Sequence, residues 1–410
     1  MSNCQVFSEI QKLEVVLVHE PDQEIQNVTP EYLEHLLFED IPYLPNMQSE
    51  HQAFSSLLRS HGVEVLYLKE LMEVVLSNEY VKTNFIKDVL HESRYSENGA
   101  HDHLFDYLQS LRTSELLASI MAGILKTDVP KQKKTHLYEL MDQQYPFYLD
   151  PMPNLYFTRD PAAVIGEGIS VNRMKKAARR RESLFIDYIS KHHKLFQDSP
   201  PVYFSRDTGF PLEGGDQLVL SEKVIAIGAG ERTSAQGIEK LAKEIFSSDT
   251  SFEKIVAVEI PHNRAFMHLD TIFTMVDKNK FTVHPVAFEN HGHLKIFILE
   301  KVESDGEFAI YERSSLIETL KEVLDLDEIV FIPCGGQNEI ISSREQWNDG
   351  SNTLTLSPGV VVTYDRNEVS NRLLREHGVE VLEIESAELS RGRGGPRCMS
   401  MPIKRTRQKL

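Results

Sequence analysis

The chain has 410 residues, 41% hydrophobic and 26% charged, a composition that supports a large buried core. Its formal net charge of −18 argues against nucleic acid or an anionic membrane as a partner and suits a cationic small-molecule substrate. No run approaches the roughly 18 apolar residues of a membrane span, the start lacks a basic segment leading into an apolar core, and three scattered cysteines (Cys4, Cys334, Cys398) are too few for a disulfide framework, so a reduced, cytoplasmic protein is expected.

In chain order, the first patterned unit is Leu57-Leu-Arg-Ser-His-Gly-Val-Glu-Val-Leu66: an apolar-faced helix end, a glycine stop and an alternating strand. From Asn46 to Val129 there is no proline. Apolar residues there fall at helical spacing, with Leu104, Leu108 and Leu111 in one stripe and Leu117, Ile120, Met121, Ile124 and Leu125 in another. A helical insertion over residues 69–145 is therefore expected within a single domain spanning 1–410. Short strands follow at Leu218–Leu220, Val224–Ile227, Ile255–Val258, Thr271–Met275, Ile329–Ile332 and Val360–Val362. Helices at Ala235–Phe246 and Ser315–Leu324 intervene, giving an α/β chain. The first unit then returns as Leu373–Leu382, with nine identities in ten positions. Matching units at both ends predict repeated modules arranged in a ring, the first beside the last. Phe157-Thr-Arg-Asp160 and Phe204-Ser-Arg-Asp207 form a weaker echo.

The last patterned stretch is Arg391-Gly-Arg-Gly-Gly-Pro-Arg-Cys398-Met-Ser-Met-Pro402. Glycines permit close backbone approach and proline stiffens it, so this is a shaped loop around a thiol, the setting of a nucleophile. Three polar clusters offer it partners: Asn154-Leu-Tyr-Phe-Thr-Arg-Asp160-Pro161, Glu213-Gly-Gly-Asp216 and Phe266-Met-His268-Leu-Asp270. In an extended chain His268 and Asp270 would project from one face. Singly, each cluster is equally a turn, a cap or a core hydrogen bond.

Taken together these residues, with Leu13-Glu-Val-Val-Leu-Val-His-Glu-Pro21, Leu37-Phe-Glu-Asp40, Glu50-His-Gln-Ala-Phe54, Ala178-Arg-Arg-Arg-Glu182 and Glu231-Arg-Thr-Ser234, resemble the arginine deiminases of the guanidino-modifying enzymes. The resemblance spans nearly the whole chain. It departs at Glu20-Pro21-Asp22, where that family often has Arg-Pro-Gly. It implies a five-module pseudosymmetric α/β propeller with an added helical subdomain, hydrolysis of L-arginine to L-citrulline and ammonia, no metal or cofactor, and a homo-oligomer, dimeric or tetrameric.

Arginine's guanidinium is planar, carries five donors and stays charged, so its pocket needs carboxylates, for which Asp160, Asp270 and Glu213 are available. Cys398 would attack the guanidinium carbon, and His268 would act first as acid and then as base. The resemblance places Arg179, Arg232 and Asn154 at the substrate's α-carboxylate, Phe157 in the substrate site, and Arg393 as a gate. Carboxylates around a buried thiol should keep Cys398 neutral in the empty enzyme and His268 protonated. The alternatives are an agmatine or methylarginine deiminase, an amidinotransferase, or an arginine-binding protein without catalysis.

Overall fold

The two near-identical decapeptides occupy equivalent places. Leu57–Leu66 spans the end of helix Leu44–Ser60 and most of strand Glu64–Tyr67, and Leu373–Leu382 joins helix Glu368–Glu376 to strand Glu380–Ile384. In both, the glycine (Gly62, Gly378) has φ near +78° (79° and 76°), a dihedral that costs glycine little and lets the helix stop sharply. The computed structural model describes residues 4–93, 101–130, 145–196, 200–262, 265–285, 294–303 and 306–407.

Five sheets share one plan: an antiparallel pair, a helical crossover, and a third strand parallel to the second. The first sheet joins the two ends of the chain, with Leu13–Val18 between Met401–Arg405 (antiparallel) and Glu64–Tyr67 (parallel). The second holds Ala162–Ile165, Gly168–Val171 and Val202–Phe204. Gln217–Ser221, Val224–Ala229 and Lys254–Glu259 make the third, extended by Ile296–Lys301 and Phe308–Arg313. The fourth has Phe273–Asp277, Lys280–Val283 and Val330–Pro333, and the fifth Leu354–Ser357, Val360–Tyr364 and Glu380–Ile384. First and fifth sheets are neighbours, since Leu13, Val16 and Val18 share a core with Leu354, Leu356 and Val362.

The crossover helices bury one apolar stripe each. In Ala235–Ser247, Ser234 caps the first turn by accepting from Gly237 N–H, while Ile238, Leu241, Ala242 and Ile245 are buried. Between the first and second sheets lie helices Leu68–Val75, Glu79–His91, His101–Ser110 and Thr113–Ala122. Phe85 meets Phe185 and Tyr188 edge-on at 5.3 and 5.0 Å, docking these helices on the second sheet's crossover helix Glu182–His192. Parts of the expected insertion, residues 94–100 and 131–144, lie outside the described residues. Among the described residues no helix is long and apolar enough to cross a membrane.

Two expected elements differ. Ile124 and Leu125 do not continue the helical stripe of Leu117, Ile120 and Met121, because the helix ends at Ala122, Gly123 follows with φ 85°, and Ile124–Leu125 pairs as a strand with Phe147–Leu149. The expected strand from Thr271 begins at Phe273, because Leu269–Thr271 closes a 3-10 turn in which Thr271 N–H and Oγ1 bond His268 O. Two-residue alternation therefore does not relate His268 to Asp270, and the two side chains reach different partners.

Candidate active site

Each of these five sheets contributes to one place through the turn that enters its first strand. Asp160 precedes the second sheet, Glu213 and Asp216 the third, His268 and Asp270 the fourth, Asn352 the fifth, and Cys398 the C-terminal strand of the first. A cavity of about 300 Å³ is lined by Cys398, His268 and Asp160 together with Asn154, Phe157, Arg179, Arg232 and Arg393. Glu213 and Asp270 stand just behind it, both fully buried. All ten residues singled out in the sequence thus converge. A larger cavity, about 600 Å³, lies against the third sheet among Ala229, Ile238, Phe297 and Leu299. Its walls are largely apolar and hold none of those ten.

The Cys398 thiol lies 3.8 Å from Asp270 Oδ2, and its backbone N–H donates to Asn352 Oδ1 at 3.0 Å. Burial, then the charges of Asp270, Asp160 and Asp349, push the thiol well above its ordinary range, against the pull of Arg397. His268 Nε2 bonds Glu213 Oε2 at 2.7 Å, and its Nδ1 sits 3.7 Å from Asp160 Oδ1. Burial disfavours its charge, but Asp160, the Glu213 bond and Asp216 outweigh that and raise it to about 9. Burial likewise works against Glu213, yet the His268 bond and the charges of Arg232, His268 and Arg179 take it down to about 2. At neutral pH the site therefore holds an imidazolium and a neutral thiol. One oxygen each of Asp160 and Asp270, both Oδ1, is buried with no hydrogen-bond partner.

Packing makes these approaches feasible. A Cβ on Gly215 would stand 2.6 Å from His268 Nδ1 and 2.9 Å from Asp160 Oδ1, so only glycine lets the Glu213 turn come this close. On the cysteine loop, a Cβ on Gly394 would meet the Phe157 ring at 2.2 Å.

The arginines do not share one environment. Arg179 Nη1 donates to Asp160 Oδ2 at 2.7 Å, while Nε and Nη2 bind Glu182 at 2.8–3.0 Å. Arg232 Nη1 is 3.9 Å from Glu213 Oε2, and its Nη2 touches the Met267 sulfur at 3.8 Å. Asn154 Nδ2 donates to Leu36 O at 2.7 Å. In the Ala178–Glu182 run Arg179 ends a 3-10 turn, and both it and Arg181 are buried.

Sequence reasoning gave no role to four residues behind the site. Arg397, beside the thiol in the chain, donates to Asp270 Oδ2 at 2.7 Å, Glu9 Oε2 at 3.0 Å and Gln217 O at 2.9 Å. Glu182 anchors Arg179. Asp216 accepts from Leu269 N–H at 2.8 Å and Thr233 Oγ1 at 2.6 Å, tying the Glu213 turn to the His268 turn. Asp349 is buried near the thiol, and burial lifts it to about 7 despite Arg393. Asp216 ends the Glu-Gly-Gly-Asp motif, which was its only sequence signal.

A family model described as "Arginine deiminase" matches residues 34–405. An arginine deiminase of Bacillus cytotoxicus is 57% identical over 401 residues, covering 98% of each chain. The chain belongs to the arginine deiminase family. Within it, an arginine deiminase of Listeria innocua is 51% identical over 405 residues, again covering 98% of each. More distant solved structures share the fold. The amidinotransferase SxtG from Microseira wollei superposes with a TM-score of 0.53 at 15% identity, covering 100% of this chain and 99% of the other. The DDAH of Pseudomonas aeruginosa, complexed with citrulline, gives 0.53 at 13% identity, covering 95% and 99%. AgrE, in its ternary complex with ornithine and NAD+, gives 0.54 at 14%; this chain spans 40% of that larger one.

Proposed function

We propose that this chain hydrolyses L-arginine to L-citrulline and ammonia, with Cys398 as nucleophile and His268 as the acid and base. The observation that carries this reading is the buried Cys398 thiol beside Asp270, in one cavity with the His268 imidazole flanked by Asp160 and Glu213. Deiminase relatives 57% identical over 98% of the chain support the reaction. Asp160 and Asp270 each turn an unpartnered carboxylate oxygen to the guanidinium, whose donors they accept in charge-assisted bonds.

Bound guanidinium offsets the negative field around the thiol, so substrate itself promotes ionisation, the proton leaving to solvent. The thiolate adds to the guanidinium carbon, giving a neutral tetrahedral adduct. His268 passes its proton to one amino group, ammonia departs, and an amidinium thioether remains. Neutral His268 then takes a proton from water, hydroxide adds to the same carbon, and collapse expels the thiolate, which takes up the adduct's hydroxyl proton as citrulline forms and so restores the neutral thiol and the imidazolium. The substrate's α-carboxylate is assigned to Arg232, Asn154 and Arg179, whose terminal nitrogens keep a second N–H beyond those given to Asp160 and Glu182. Phe157 walls the aliphatic stem, and Arg393 closes the mouth.

The common plan of five sheets, with the first and fifth adjacent, supports a five-module pseudosymmetric propeller around the site. The helices between residues 68 and 122 support treating 69–145 as an insertion in one catalytic domain. A cytoplasmic homo-oligomer, dimeric or tetrameric, completes the reading. Citrulline and ammonia assays on L-arginine, agmatine and methylated arginines side by side test the function. Arginine should be strongly preferred, with agmatine turned over only poorly. Preference for agmatine or a methylarginine, or amidino transfer to an added amine in place of hydrolysis, would overturn it.

A further inference from the structure

The chain contains one tryptophan, Trp347, and neither the fold nor the reaction derived above accounts for it. Its side chain is 46% exposed, an unusual place for the largest aromatic residue. The Arg393 guanidinium carbon lies 3.5 Å from the centre of its ring, close enough for a guanidinium to lie over an indole face. Arg393 lines the Cys398 cavity. Trp347 therefore reaches the site through another residue.

The two partners are held very differently. Trp347 ends helix Glu339–Trp347, whose Glu345 is fastened to the start of helix Glu368–Glu376 by bonds from Val369 N–H, Ser370 N–H and Ser370 Oγ at 2.8, 2.8 and 2.6 Å. Gln346 adds a bond to Ala265 O at 3.2 Å. The indole thus sits on a braced platform. Arg393 lies between Gly392 and Gly394 with φ 64° and ψ 62°, left-handed backbone that a non-glycine residue adopts only when its surroundings impose it.

A guanidinium stacked on a ring keeps its N–H donors in the plane of the stack, where they remain able to bind a carboxylate edge-on. An arginine side chain without such a face has several rotatable bonds to fix when it binds. We propose that Trp347 is a positioning residue for substrate selection: its indole face holds the Arg393 guanidinium so that its edge meets the α-carboxylate of the amino-acid substrate at the cavity mouth. This rests on the arginine-deiminase reading and adds to it a residue that touches no substrate.

The test compares kcat/KM for L-arginine and for agmatine, which lacks the carboxylate, in wild type, Trp347→Ala, Trp347→Phe, Arg393→Ala and Trp347→Ala/Arg393→Ala. Trp347→Ala should lower the arginine-to-agmatine ratio by about three- to thirtyfold, the range of a partly desolvated cation–π contact, chiefly through KM for arginine. Trp347→Phe should recover much of it. The double variant should match Arg393→Ala alone, because the indole acts only through that guanidinium. An unchanged ratio in Trp347→Ala, or additive losses in the double variant, would overturn the proposal while wild-type arginine turnover still upheld the deiminase reading. As the sole tryptophan, Trp347 also reports directly: L-arginine added to Cys398→Ala should alter its fluorescence, and agmatine should alter it far less. Equal responses to the two ligands would contradict the proposal without any change at position 347.

Discussion

Exchanging His268 for glutamine probes the electrostatics on which the site is built. The imidazole is buried, and although burial opposes its charge, Asp160, Glu213 and Asp216 raise it from 6.5 to about 9. A group whose pKa is higher folded than unfolded stabilises the fold fully below its unfolded pKa, and that contribution is lost as pH rises through the folded value. The gap between 6.5 and about 9 corresponds to on the order of 3 kcal/mol, at about 1.4 kcal/mol per pH unit. Glu213 has the opposite sign: lowered to about 2 despite burial, its contribution is present above its ordinary pKa and is lost only as pH falls toward 2. The combined contribution should therefore be greatest between about pH 5 and 6.5 and weaken above that, the His268 part being gone beyond about pH 9 while the Glu213 part, held also by Arg232 and Arg179, persists. Urea unfolding of wild type and His268→Gln at about pH 6, 7.5 and 9.5 measures this. The wild-type advantage should be a few kcal/mol at the lowest of these and shrink by about 3 kcal/mol at the highest. The same advantage at every pH would refute the argument that His268 is held as an imidazolium. Free-enzyme kcat/KM should fall over the same upper range, as the acid of the first step loses its proton.

Gly215→Ala puts a methyl group 2.6 Å from His268 Nδ1; displacing the imidazole should cost about a hundredfold or more in kcat while circular dichroism shows the fold retained. Arg397→Met leaves Asp270 and Glu9 buried without their shared cation, so denaturant unfolding should register a loss of about 3–5 kcal/mol. Arg232→Ala should chiefly raise KM for arginine, by about ten- to a hundredfold. Arg179→Ala should also lower kcat and stability, because it strips Asp160 and Glu182 of a buried partner; kinetics and melts of the two variants side by side separate these effects.

Local signals made much of this protein legible from sequence. Glycine stops after Leu-Leu-Arg helix ends marked two crossovers, and the strands expected from apolar patterning lie within a residue or two of those observed, although Leu13–Val18, Ala162–Ile165, Gly168–Val171 and Ile296–Lys301 were among those that carried no such expectation. The glycines and prolines beside Asp160, Glu213 and Cys398 pointed to turns that the structure brings to one cavity, while His268, with no such neighbour, stood out only within the whole set of motifs. What escaped was pairing across the chain. Arg397 and Glu9 are 388 residues apart, and no periodicity connects them. Trp347 and Arg393 meet only because two modules abut. The 3-10 turn at Leu269–Thr271 was hidden for a related reason, since the capture of Leu269 N–H by Asp216 overrides the strand preference of the residues that follow.

The covalent step is the central claim, and intact-protein mass after rapid acid quench during turnover tests it most directly. Wild type mixed with L-arginine should carry the mass of arginine less ammonia on Cys398. Cys398→Ala should carry none and form no citrulline, although its unfolding curve stays close to that of wild type. Citrulline produced by Cys398→Ala at a rate near that of wild type would contradict the account.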